Sequence, residues 1–115
     1  MRQLSEIKVM TKDEQNLLTR CRKVIKNIEP SAEVILYGSR ARGDASEEAD
    51  YDLLVLVDGE VSLKREDLIC RQLYPIELET GKVLSAIVHG RQQWNTPLYR
   101  AMPFHQNIEK EGIIL

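Results

Sequence analysis

VILYGSRARGDASEEADYDLLVLVD, residues Val34 to Asp58, holds two apolar runs separated by a polar loop, with Gly-Ser at one lip and Asp-Tyr-Asp at the other. The first run, Val34 to Tyr37, is short and largely β-branched or aromatic. It predicts a strand that stops at Gly38, a residue free to adopt backbone angles that other residues avoid. The second run, Leu53 to Val57, is apolar at every position. That pattern suits a strand covered on both faces, in the middle of a sheet.

Side chains alternate along a strand, so Asp50 and Asp52, two positions apart, are expected to point to one face. Two neighbouring anions repel unless a divalent cation lies between them, and a hard cation such as Mg²⁺ favours carboxylate oxygens while keeping substrate phosphate as a further ligand. The Gly38-Ser39 turn is the complementary half. Small residues let phosphate oxygens approach backbone N–H groups, and the Ser39 hydroxyl adds a donor.

Taken singly, each of these features has a bland reading: a common turn, a solvated acidic loop, surface arginines. Their order and spacing between two strand-like runs carry the information. Gly38, Ser39, Ala41, Arg42, Gly43, Asp50 and Asp52 together resemble the signature of the DNA polymerase β-like nucleotidyltransferase superfamily, in its minimal branch; Ala49 stands where a Ser often precedes the first Asp. The match covers about a fifth of the chain. The resemblance implies an α/β (α+β) fold, a small mixed β-sheet with helices packed mainly on one face. It further implies Mg²⁺-dependent transfer of a nucleoside monophosphate, AMP from ATP, to a hydroxyl acceptor on a partner macromolecule. In that scheme Asp50 and Asp52 are the catalytic metal ligands, Gly38 and Ser39 hold the β- and γ-phosphates, and Arg40 or Arg42 neutralises the departing pyrophosphate.

The rest of the chain fits around this motif. At 115 residues it is expected to form one domain, residues 1–115, with a single core. No apolar run approaches membrane length, and the opening MRQLSEIKVM lacks the apolar region of a secretory signal, so a cytoplasmic location is expected. The net charge of −2 argues against a surface that binds nucleic acid directly. Arg20, Arg22, Lys23 and Lys26 read as a solvated helix face. Cys21 and Cys70 lack Cys-x-x-Cys spacing and read as reduced core or boundary residues.

Thr11 with Glu14 forms a capping-box pattern ahead of Leu17, Leu18, Cys21, Val24, Ile25 and Ile28 at helical spacing, which predicts a long amphipathic helix ending before Pro30. Ser62 caps a second helix carrying Leu68, Ile69, Leu73 and Ile76, and Pro75 is expected to kink it on the way to Thr80. The alternative is a strand from Ile76 to Glu79. Lys82 to His89 reads as a third strand, and Pro103 and Gly112 bracket a short helix. Trp94 and Phe104 read as core or interface rather than base-stacking residues, and His89 and His105 as surface or boundary residues.

In the resembling enzymes the third strand carries a third carboxylate, the base that takes the acceptor's proton. Between Val83 and His89 there is no Asp or Glu; Ser85 falls at that position, with Glu77 and Glu79 as possible substitutes. The minimal branch also lacks a substrate-binding domain, so the resemblance implies a partner protein, such as the helical HEPN-type ribonuclease of a toxin–antitoxin pair; homo-oligomerisation stays open. The competing reading is a non-catalytic nucleotide- or partner-binding module that keeps the fold without the base.

Overall fold

The computed structural model describes residues 1–115. Its elements in order are β1 (Arg2–Gln3), α1 (Lys12–Ile28), β2 (Glu33–Tyr37), α2 (Ser39–Arg42), β3 (Tyr51–Val57), α3 (Leu63–Thr80), β4 (Leu84–Gly90), α4 (Arg91–Trp94), α5 (Pro97–Arg100), α6 (Pro103–Glu111) and β5 (Ile113–Ile114), with a 3₁₀ turn at Leu4–Glu6. The strands form one mixed sheet in the order β1-β5-β2-β3-β4. β2 runs antiparallel to β3 and β5, whereas β3–β4 and β1–β5 are parallel. The expected mixed α/β architecture is therefore present, with the apolar Leu53–Val57 run paired on both sides.

Alternation along β3 sorts the two faces. Tyr51, Leu53, Val55 and Val57 join Leu17, Leu18, Cys21 and Ile25 of α1 and Ile69, Leu73 and Ile76 of α3 in a 19-residue core. Leu18, Cys21, Ile25 and Ile69 are fully buried there, and burying an aliphatic side chain of that size is worth about 1.5–3 kcal/mol. Leu54 and Leu56 point the other way, to a smaller cluster with Ile35, Trp94 and Ile108. The two long helices thus share one face, and the short C-terminal helices close part of the other. No helix is long and apolar enough to cross a membrane.

Local chemistry explains the helix limits. Thr11 accepts the Glu14 N–H at 3.1 Å while Glu14 accepts the Thr11 N–H at 3.3 Å, the reciprocal pair anticipated from sequence; such a cap contributes about 1 kcal/mol. Ser62 caps α3 through the Arg65 N–H at 3.1 Å. The α3 helix continues through Pro75 to Thr80, so the Ile76–Glu79 strand does not form. An interior proline costs about 3 kcal/mol, and the burial of Leu73 and Ile76 on either side offsets it. Leu68 and Ile28 are exposed, unlike the other residues of their stripes.

Three features differ from expectation. Ile113–Ile114 is a strand wedged between β1 and β2, with Leu36 opposite Ile113. Gly112 ends α6 at φ −62°, so it is not a left-handed cap. Glycine is required there for space: a Cβ would stand 2.6 Å from the Ile108 carbonyl oxygen and 3.0 Å from Ile35 Cγ2. His105 is buried, stacked on Trp94 at 4.3 Å, and is no surface residue. Trp94 itself is core, and Phe104 packs edge-on against Tyr37 and Trp94. Both cysteines are free; burial pushes the Cys21 thiol up to about 12, which keeps it protonated and unreactive.

Candidate functional site

Where β2 ends, the chain must turn sharply beside the first residues of β3. Gly38 does this at φ 75° and ψ −159°, a conformation essentially reserved for glycine. The adjacent β2–β3 pairing sets Tyr37 opposite Asp52. As a result the Asp52 carboxylate lies directly over the glycine: a Cβ on Gly38 would meet Asp52 Oδ2 at 2.5 Å. The missing side chain and the carboxylate occupy the same space.

Asp52 is half-buried and faces the side of the sheet that carries Leu54 and Leu56. Asp50, exposed, lies just before β3. Burial, then the Asp50 charge, pushes the Asp52 carboxyl above its ordinary value, and Arg42 acts in the opposite direction. The two aspartates therefore interact as neighbouring like charges, the situation that a divalent cation relieves. No cluster of three or more Asp, Glu, His or Cys side chains exists in the chain. A hard cation held here would have two protein carboxylates, with water and phosphate completing its shell. That donor set fits Mg²⁺, which commonly binds through one or two carboxylates.

After Gly38, the single-turn helix α2 carries Ser39 at its first position and ends at Gly43, at φ 82°. The two arginines of this turn part company. Arg40 is nearly buried, with its guanidinium 4.4 Å above the Tyr51 ring. It donates to the Ala49 carbonyl from Nε and Nη2, at 3.2 and 3.0 Å, and to the Glu47 carbonyl at 3.0 Å. The expectation that Arg40 serves phosphate changes accordingly, because its donors are committed to holding the 43–50 loop against the sheet. Arg42 remains about half exposed at the turn, donating to Asp44 at 3.2 Å and to Glu111 at 3.3 Å.

Glu111 is a residue that sequence reading missed. Its Oε1 also accepts the Gly38 N–H at 3.4 Å. It is the last residue of α6, and β5 brings it alongside the end of β2. Nothing local to Asn107–Glu111 signals this; it follows from the long-range β2–β5 pairing.

On the other side, parallel pairing sets Ser85 opposite Asp52. Ser85 is exposed, and alternation places it on the Asp52 face while Leu84, Ala86 and Val88 enter the core. Glu77 and Glu79 do not reach this place. Glu77 accepts the Leu84 N–H at 3.1 Å and Glu79 pairs with Arg20, both on the helical side of the sheet. A polar recess of about 650 Å³ on that side, between Thr11, Arg20, Tyr51 and Lys82, is likewise separated by the sheet from Asp52.

Residues 18–114 match the nucleotidyltransferase domain family. A Methanocaldococcus jannaschii protein named as a candidate protein adenylyltransferase is 37% identical over 82 residues, which is 71% of this chain and 75% of that one. A second protein of the same organism, bearing the same description, is 39% identical over 58 residues, covering 50% of this chain and 59% of its own length.

Proposed function

The chain belongs to the nucleotidyltransferase domain family, and from that premise we propose that it acts as one minimal domain transferring AMP from ATP to a hydroxyl on a partner macromolecule. The observation that carries this reading is the apposition of the Asp52 carboxylate to the side-chain-free Gly38 turn. It sets a cation-binding group beside a phosphate-binding backbone. The naming of two relatives as candidate protein adenylyltransferases supports a protein as the acceptor. The sequence resemblance extends this to a helical HEPN-type ribonuclease, with this chain as its antitoxin.

In this mechanism Asp50 and Asp52 hold Mg²⁺, which when bound supplies positive charge at the triphosphate and lowers the acceptor's pKa. Gly38 and Ser39 receive the phosphate oxygens through backbone N–H and hydroxyl groups. Arg42 stabilises charge on the departing pyrophosphate, since a planar guanidinium contacts two oxygens at once. Arg40 acts indirectly by fixing the loop that delivers Asp50. Ser85, opposite Asp52, holds the position of the third carboxylate, and a hydroxyl is a poor base at neutral pH. A loose phosphoryl-transfer transition state demands little deprotonation of the acceptor beforehand, so its proton passes to water as the new bond forms and pyrophosphate departs.

The same serine favours a second reading, a nucleotide- or partner-binding module without catalysis. One experiment addresses both. The protein and its partner are incubated with α-labelled ATP and Mg²⁺, beside Asp52→Asn. Label on the partner from wild type alone supports transfer. Tight partner binding with label from neither protein supports the module, and ATP affinity indifferent to both Mg²⁺ and Asp52→Asn removes the nucleotide site altogether.

A further inference from the structure

Glu111 makes two contacts that a side chain serving only as an ion-pair partner would not combine. Its carboxylate lies 3.3 Å from Arg42 Nη1 through both oxygens, and Oε1 also takes the Gly38 backbone N–H at 3.4 Å. These two donors, one backbone amide at the turn and the guanidinium behind it, are what the turn offers to an anion. Its side chain is only 20% exposed, so it sits in the cradle and does not sweep across it.

The backbone beneath Glu111 is fixed. The Gly112 N–H bonds to the Ile108 carbonyl at 2.8 Å, Ile113 pairs with both Arg2 and Leu36, and there is no room at Gly112 even for a methyl group. A carboxylate anchored this way leaves the cradle only by rotating its own side chain. The rest of the fold need not move.

We propose that Glu111 is a built-in occupant of the phosphate cradle, an internal anion that a triphosphate must displace from the Gly38 N–H and Arg42. This rests on the placement of phosphate at the Gly38 turn made above, and deepens it by adding a gate. A donor already engaged cannot serve phosphate at the same time. The gate therefore sets a threshold: weak anions such as inorganic phosphate fail to displace the carboxylate, whereas a polyphosphate, with more charge to place, succeeds. Binding frees Glu111, and release of pyrophosphate restores it.

The test uses inorganic tripolyphosphate without metal, which removes base recognition and leaves the repulsion from Asp52 over the turn equal in every variant. Calorimetry compares wild type, Glu111→Gln, Glu111→Ala and Glu111→Gln/Arg42→Ala, with thermal melts confirming that each is folded. Both single variants are expected to bind tripolyphosphate about two- to fivefold more tightly than wild type, the worth of one partly exposed charged contact. The gain should disappear in the double variant. Equal affinity for wild type and single variants overturns the gate, and weaker binding by the variants overturns it in favour of Glu111 as a support for Arg42. No binding by any of the four also overturns it. The two proposals fail separately. Tighter tripolyphosphate binding with no Mg²⁺-dependent ATP binding leaves the gate and removes nucleotidyl transfer; AMP transfer by wild type with no gain in the variants does the reverse.

Discussion

Replacing Gly38 by alanine strikes the geometry on which the site depends, and its cost divides into two separable parts. The first is backbone strain: at φ 75° and ψ −159°, a residue with a Cβ costs about 1–3 kcal/mol. The second is the collision of that Cβ with Asp52 Oδ2 at 2.5 Å, an overpacking typically worth about 1–3 kcal/mol. Together they predict a loss of about 2–6 kcal/mol, and at about 4 °C per kcal/mol a fall in Tm of roughly 8–24 °C. Urea denaturation of Gly38→Ala, Asp52→Ala and the double mutant separates the parts. In the Asp52→Ala background the collision is gone and only the strain remains, so Gly38→Ala should cost about 1–3 kcal/mol less there. Identical costs in both backgrounds would show that the carboxylate does not lie over the turn. In binding, Gly38→Ala should weaken Mg²⁺-ATP far more than adenosine, because it displaces the carboxylate and crowds the phosphate approach at once.

Four further substitutions test neighbouring parts. The Asp52 carboxyl is raised above its ordinary 3.8, so it binds its proton more tightly folded than unfolded; its contribution is fully present below pH 3.8 and is lost as pH climbs through the raised folded value. Asp52→Asn should therefore melt higher than wild type at pH 7, with the gap closing towards pH 3.8, while abolishing Mg²⁺-dependent ATP binding; a lower Tm at neutral pH would contradict the like-charge picture. Ser85→Asp, opposite Asp52, should increase AMP transfer about 10²- to 10⁴-fold, the usual contribution of a general base, and an unchanged or abolished rate in labelled-ATP assays would exclude Ser85 as the vacant position. Arg40→Ala leaves the Glu47 and Ala49 carbonyls without their partner and should cost about 1–3 kcal/mol of stability, whereas Arg42→Ala, at an exposed ion-pair residue, should leave stability nearly unchanged and weaken triphosphate binding. The reverse ranking would return Arg40 to the phosphate.

Much of this arrangement was legible in the sequence because it depends on neighbours. The Thr11–Glu14 cap, the turn at Gly38 and the Asp-x-Asp entry to β3 each follow from residues within a few positions of one another, whereas pattern alone left the segment after Pro75 open between a kinked helix and a strand. The resemblance put Ser85 at the third-carboxylate position, and the β3–β4 register sets it opposite Asp52. What sequence could not give depends on non-local packing. Arg40 and Arg42 look alike as letters; only the position of the Tyr51 ring and the 43–50 carbonyls separates them. Ile113–Leu115 reads as an apolar end, and its insertion between β1 and β2 is decided by a partner strand at the opposite end of the chain. Glu111 was invisible for the same reason, and His105 because its environment is built by Trp94.

The pairing of Arg2 with Ile113 also orders events in time. Gly38 and Asp52 belong to one antiparallel pair joined by a short connection, a contact that closes with little loss of chain entropy, whereas β1–β5 closes almost the longest loop the chain offers. During folding the turn and its carboxylate can form early, and the strand that carries Glu111 into place docks late. A chain caught before that last step would present its anion cradle open and ungated, so burst-phase capture of polyphosphate on refolding, followed by slower release, would record the closing of the sheet.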